Sequence, residues 1–335
     1  MEQVSTAAGV AVAPTPTPAS TPAPAPTPAP APTPGPAPGP APGAGGAGGA
    51  TVCAVARIEA APDGRGGTAL PLLAGDGPMA LRRTTHPDAS GAAQVTVIGA
   101  MAAPLGGDRL RIEVLVRAGA RLRVTSAAAT VSLPGRLPAP AHYELDLQVE
   151  DGGELEWLPE PVIAASGSEL RMSTRVRLGA GARLLLREEQ ILGRSAEPPG
   201  RITAVLTVHR DGAALLHQRT DLGPGAPGWD GAAVLAGHRA LGQLLLCDPA
   251  LAEHPPTAQL SPAAGSAAVG TAAARTAPVG AGATGTEAAP MEAEAALLPL
   301  AGGTALLLTA AAPDGLRLRR AMRCESGGSL DRLPR

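Results

Sequence analysis

Between Leu110 and Val208 apolar and polar side chains alternate at every second position, and this alternation limits the possible folds more than any other feature. Leu110, Ile112, Val114 and Val116 interleave with Arg111, Glu113 and Arg117. Tyr143, Leu145, Leu147 and Val149 interleave with Glu144, Asp146 and Gln148. Leu170, Met172, Thr174, Val176 and Leu178 interleave with Arg171, Ser173, Arg175 and Arg177, and Ile202, Ala204, Leu206 and Val208 continue the pattern. A period of two sorts side chains onto opposite faces of an extended strand, so each run predicts a half-buried strand with one wet face. Turns carrying Gly119, Gly152, Gly181 and Gly212 follow one another after 33, 29 and 31 residues, and an apolar strand follows each. Gly302 and Gly303 repeat the theme before Leu306–Leu308. This recurrence predicts a mainly β fold: stacked β-hairpins forming a helicoidal or layered β-architecture, with glycine turns along one edge. From Trp229 to Ala252, Val234, Leu235, Leu241, Leu244 and Leu245 recur at mixed three- and four-residue spacing. That spacing predicts a small helical segment near 230–252, with Asp230 as its N-cap.

Composition decides what such strands can bury. The 335 residues include 43 glycines and 37 prolines but only two tryptophans, one tyrosine and no phenylalanine, so the core has to be built from Leu, Val, Ile and Ala. Residues 1–50 form a Pro/Ala/Gly-rich segment with one charge, Glu2, and read as a disordered, semi-rigid tail. A second low-complexity stretch over 255–290 reads as a long surface loop. The remainder, 51–325, reads as a single β domain interrupted by that loop. Gly43–Gly48 matches a dinucleotide-binding glycine pattern but lacks the flanking strand and helix, and is read as chance.

Several chemistries are excluded. The 27 basic residues are all arginine, so no Walker-type lysine and no Schiff-base lysine is available. A net charge of −2 argues against a polycationic surface for nucleic acid. No apolar run approaches about 18 residues, so no membrane span is expected. Cys53, Cys247 and Cys324 are widely spaced, and no signal-peptide pattern is visible, so a cytoplasmic protein without a disulfide scaffold is expected.

Few residues point to chemistry. The six histidines show no metal-ligand spacing. If Asp211–Gly212 is a two-residue turn, His209 and His217 face oppositely and cannot act as joint ligands. No nucleophile elbow is present. Glu150, Asp151, Glu154, Glu156 and Glu160 cluster around a turn, as a solvated hairpin or as a docking patch or transient cation site. The arginine rows 117/121/123 and 171/175/177 read as wet strand faces. Three polar positions are odd for their setting. Asp108 follows a Pro-Leu-Gly-Gly stretch ahead of a strand and suits a turn cap. Glu189 sits in a strongly apolar strand and suits an ion pair with Arg194. The run Pro159–Pro161 interrupts an otherwise buried-looking segment after Trp157.

At these positions the chain resembles the urease accessory protein UreD family, called UreH in some organisms. Four blocks in order carry the resemblance: Gly99–Leu110, ending in Gly107-Asp108; Leu122–Thr130, containing Ser126; Leu155–Pro161, containing Trp157, Pro159 and Pro161; and Glu189–Arg194, containing Gly193. After Gly-Arg the family usually places Gly-Glu, whereas here Glu197 and Gly200 straddle two prolines. The resemblance implies a mostly β, non-catalytic protein that works with UreF, the GTPase UreG and apo-urease. It implies passage of nickel through the accessory complex, as a transient Ni²⁺ rather than a tightly bound cofactor. It also implies polar residues lining an internal, water-filled passage. Asp108, Ser126, Glu189 and Arg194 are the candidates for that passage or its support. Gly107, Trp157, Pro159, Pro161 and Gly193 are carried over as structural. The alternatives are a structural or adhesive β-repeat protein with a proline-rich stalk, and a hydrolase with a catalytic set not visible in the sequence.

Overall fold

A computed structural model describes residues 51–85, 91–253, 257–262, 293–300 and 302–329. The proline-rich segment 1–50, with its Gly43–Gly48 run, and residues 263–290 of the low-complexity stretch lie outside the described residues. In chain order the strands are β1 (Cys53–Pro62), β2 (Thr68–Ala74), β3 (Met79–Thr84), β4 (Ala93–Gly99), β5 (Arg109–Val116), β6 (Arg121–Ser126), β7 (Thr130–Ser132), β8 (Ala141–Val149) and β9 (Glu154–Leu158). They continue with β10 (Val162–Ala164), β11 (Glu169–Leu178), β12 (Arg183–Leu192), β13 (Arg201–Arg210), β14 (Ala213–Leu222), β15 (Ala240–Cys247), β16 (Gln259–Pro262), β17 (Glu294–Pro299) and β18 (Ala305–Ala312). One α-helix, α1 (Gly315–Ser329), follows.

The layered, helicoidal β-architecture is the one the alternation calls for, with a specific wiring. Strands joined by the turns at Gly119, Gly152 and Gly181 go to two facing sheets instead of pairing with each other. One sheet runs β14-β13-β11-β8-β5-β1-β2, and the other runs β16-β17-β18-β15-β12-β9-β6-β4-β3. Along the centre of each sheet successive coils stack in parallel: β5 on β8, β8 on β11 and β11 on β13, facing β6 on β9 and β9 on β12. Among these glycine turns, Asp211–Gly212 closes a hairpin, β13 with β14, and Gly302–Gly303 closes another, β17 with β18.

Stacking in register places like on like. Ile58, Val114, Leu147, Val176 and Val208 form one inward row of the first sheet. Val95, Val124, Trp157, Leu186, Leu245 and Leu307 form a row of the second. These rows interlock as the main core, all but free of aromatics. A smaller core lies on the outer side of the second sheet, where Leu318, Ala321 and Met322 of α1 cover Leu306, Leu308, Ala310 and Ala312. The outer face of the first sheet is wet and holds ion pairs such as Arg57–Glu113 at 2.9 Å and Arg111–Asp146 at 2.9 Å.

Two sequence expectations are corrected. The helix expected near 230–252 is absent. Residues 223–237 form turns, Ala240–Cys247 is strand β15, and only a 3-10 turn, Pro249–Ala252, is helical. β15 is apolar on both faces because the main core lies on one side and α1 on the other, so its pattern lacks the strand alternation. Asp230 does not cap a helix; its carbonyl accepts the Gly237 amide. The second correction concerns the histidines. A bulge between Val208 and His209 pairs His217 with Thr207 rather than with Leu206. The one-residue slip moves His217 to the outer face that His209 also occupies. There Thr207 Oγ1 and His217 Nδ1 lie 3.1 Å apart.

The stacked turns set a tight limit on residue size. A Cβ at Gly179 would come within 2.6 Å of the Asp151 backbone nitrogen of the coil below. Gly179→Ala is therefore expected to cost about 1–3 kcal/mol through a forced backbone shift. A urea titration followed by circular dichroism would register this as a lower midpoint, and an unchanged midpoint would contradict the tight stacking.

Candidate functional site

The apolar rows of the second sheet end abruptly. Two positions beyond the Trp157–Leu186–Leu245–Leu307 row the inward residues are Ser126, Glu188, Gln243 and Thr309. The hydrogen-bonded ladder breaks at the same level. β12 pairs with β9 over Arg183–Leu186, and with β10 only from Gln190 onward. Between them Pro159–Pro161 crosses without strand pairing, as proline, lacking an N–H, favours. Likewise β6 stops at Ser126 and β7 starts at Thr130.

A cavity of about 40 Å³ occupies this break, enough for roughly two or three waters. Its walls include Tyr143, Trp157, Met172 and Glu188 from the interior, and Ser126, Pro159, Glu160, Arg187 and Glu189 from the opening. Glu188 is 9% exposed, and its Oε1 accepts the Thr174 hydroxyl at 2.6 Å. Burial raises its pKa above the usual 4.5, and the Thr174 hydrogen bond only partly opposes the shift. Burial likewise pushes the Tyr143 phenol up to about 12.

On the opposite face of β12 the Glu189 side chain is 1% exposed and fully paired. Arg319 of α1 donates Nε at 3.1 Å to both Glu189 oxygens and Nη2 at 2.8 Å to Oε2. The same Nη2 lies 2.7 Å from Glu160 Oε2. Hydrogen bonding to Glu189 raises the Arg319 pKa, against the opposing effect of partial burial. The expected Glu189–Arg194 pair therefore does not form. Arg194 instead pairs with Glu197, donating Nε at 3.0 Å and Nη2 at 2.9 Å. The Arg194 side-chain hydrogen bonds, followed by the Arg194 and Ser166 amides, pull the Glu197 carboxyl down to about 2. The displaced acid of the fourth block thus holds its arginine at a different spacing.

The remaining candidates sort by place. Ser126 braces the opening: its Oγ accepts the Glu160 amide at 2.8 Å and donates to the Ala128 carbonyl at 3.0 Å. The Pro161 carbonyl accepts the Thr130 amide at 2.9 Å, which fixes the far side of the gap. Trp157 and Pro159 line the cavity. Asp108 is a turn cap, 3% exposed, and its two oxygens accept the Val52 amide at 2.9 Å and the Leu105 amide at 2.8 Å. It lines a different pocket, with Gly106, Gly135 and Leu137. Gly107, at φ 94°, makes the turn that Asp108 closes. Gly193, at φ 81°, has the Arg239 guanidinium packed where a side chain would be.

Every acid of the cluster around the 150s turn has a partner: Glu150 with Arg117, Asp151 with the Gly181 amide, Glu154 with Arg183, Glu156 with Arg123 and Glu160 with Arg319. Sequence reasoning missed Glu188 and Arg319. Glu188 was visible as the acid at the inward parity of Leu184 and Leu186. Arg319 lies 130 residues from Glu189, and its partner carries no local signal.

A family profile described as UreD urease accessory protein matches residues 53–324. The chain belongs to the UreD urease accessory protein family. It is 59% identical over 231 residues to urease accessory protein UreD 3 of Streptomyces griseus subsp. griseus, covering 66% of this chain and 90% of that relative. It is 50% identical over 275 residues to urease accessory protein UreD of Streptomyces avermitilis, covering 82% and 96%. It is 39% identical over 299 residues to urease accessory protein UreD of Frankia casuarinae, covering 82% and 87%. Among the described residues no helix is long and apolar enough to cross a membrane.

Two tests follow for this UreD family member. Asp108→Ala orphans two amides and should lower stability by about 1–3 kcal/mol, read from a urea midpoint. Glu188 has a folded pKa above its unfolded value. Its contribution is thus complete below pH 4.5 and is lost as pH rises through the folded pKa. Glu188→Gln should therefore raise the urea midpoint at neutral pH, and the gain should vanish toward pH 4. A gain independent of pH would contradict this reading.

Proposed function

We propose that the chain is a non-catalytic maturation factor that supports nickel insertion into apo-urease, in the cytoplasm, with UreF, UreG and the urease subunits as partners. Nickel is the cargo, and no tightly bound cofactor belongs to this reading. The observation that supports it best is the break in the second sheet, where an interior cavity with a buried carboxylate, Glu188, meets an opening edged by Glu160 and Glu189. Carboxylate and hydroxyl oxygens hold Ni²⁺ more weakly than imidazole or thiolate sets, which suits a cation that has to leave again. Ser126 and Thr174 supply further oxygens at the same level, from β6 and β11. Arg194 and Asp108 support loops in this reading and do not meet the cargo. Family membership disfavours the stalked β-repeat alternative.

The test is co-expression with urease subunits, UreF and UreG in a host without its own UreD. Urease activity and bound nickel should appear only when the chain is present. Equal activity without it, from soluble partners, would contradict the role.

A further inference from the structure

The opening in the second sheet is edged by carboxylates, yet its outer side is occupied. The ladder of β12 with β9 ends at Leu186 and that with β10 begins at Gln190, so the wall here is Pro159–Pro161 together with the Arg187 side chain, whose Nη2 donates to the Leu158 and Pro159 carbonyls at 3.2 and 2.7 Å. Behind it lies the cavity with Glu188, Tyr143 and Trp157. In front of it stands the Arg319 guanidinium, forked onto both Glu189 oxygens and bonded to Glu160 across the gap. A guanidinium and any other cation compete for the same carboxylate oxygens, so Arg319 on Glu189 and Glu160 excludes another cation from them.

Arg319 belongs to α1, and α1 is held by a separate device. Leu318, Ala321 and Met322 bury themselves over Leu306, Leu308 and Ala310. Asp314 caps its start, accepting the Arg317 amide at 2.8 Å. The helix is thus positioned by apolar packing, while its single arginine at the gap adds the contact that spans the opening.

We propose that α1 is a latch whose Arg319 side chain closes the outer mouth of the opening, so that withdrawal of this one side chain gives solvent and small solutes access to the cavity. Its biological meaning rests on the reading above, since the cavity it closes is the proposed cargo route. Its test does not.

Trp157, 2% exposed, lines the cavity and reports on access. In the full chain with Trp229→Phe, so that Trp157 is the one tryptophan, acrylamide quenching is measured with and without Arg319→Gln. The quenching constant should rise severalfold in Arg319→Gln, with circular dichroism unchanged, and Arg319→Lys should fall between. An unchanged constant in folded Arg319→Gln would overturn the latch. If Arg319→Gln does not fold, a variant at Glu160 takes its place. Because glutamine would still accept from Arg319, the truncation used is Glu160→Ala, which removes the bond across the gap and leaves the forked pair; a smaller rise is expected, and no rise overturns the proposal. Unchanged quenching with normal urease activation would sink the latch alone. Raised quenching without chain-dependent urease activation would sink the maturation role alone.

Discussion

A carboxylate placed between two apolar sheets either neutralises itself or finds a partner, because an isolated buried charge is far too costly to keep. In this protein both solutions occur side by side on one strand. Glu188 points inward, is held by a single hydroxyl, and has its pKa raised by burial. Glu189 points outward and is matched by a forked guanidinium. Glu188 would not be tolerated two residues earlier, where Leu186 packs in the Trp157 row. Both carboxylates depend on the ladder of the second sheet opening at this level to make room for polar groups and water.

The opening is affordable because the rest of the molecule is so regular. Parallel coils repeat the same inward aliphatic rows, and each glycine turn rests on the one below. The Glu150 amide binds the Val116 carbonyl, the Gly179 amide binds the Val149 carbonyl, and the Asp211 amide binds the Leu178 carbonyl. Such stacking fixes strand register without large aromatic side chains, in keeping with a chain that has almost none. Trp157, the largest fully buried side chain, sits in the last aliphatic row before the polar level and forms the boundary between them.

Much of this was legible in the sequence, for a physical reason. The inward and outward faces of each strand are written locally in the alternation, and the coil length is written in the glycine spacing. Which strand pairs with which is not written locally: β5 meets β8 and not β6, because the turn between β5 and β6 carries the chain from one sheet to the other. The segment around Leu244–Leu246 misled because burial on both faces removes the strand period. His217 misled because one bulged residue reverses a face. At the site, Glu189, Ser126, Trp157 and Pro159 were found from the blocks of family resemblance and do come together. Asp108 and Arg194 carry equally marked motifs, yet they hold loops in place through local partners. Arg319 was out of reach of sequence reasoning, since its role comes from the docking of α1 onto β15 and β18.

On the proposed maturation role, the buried carboxylate Glu188 is kept for the cargo rather than for the fold. The most direct measurement is nickel bound per urease active site, at limiting nickel, when urease is matured with wild type or with Glu188→Gln. The account predicts lower nickel occupancy with the variant even though the variant protein is the more stable of the two at neutral pH. Equal occupancy would contradict it, leaving Glu188 as a structural residue and the cavity as a packing defect.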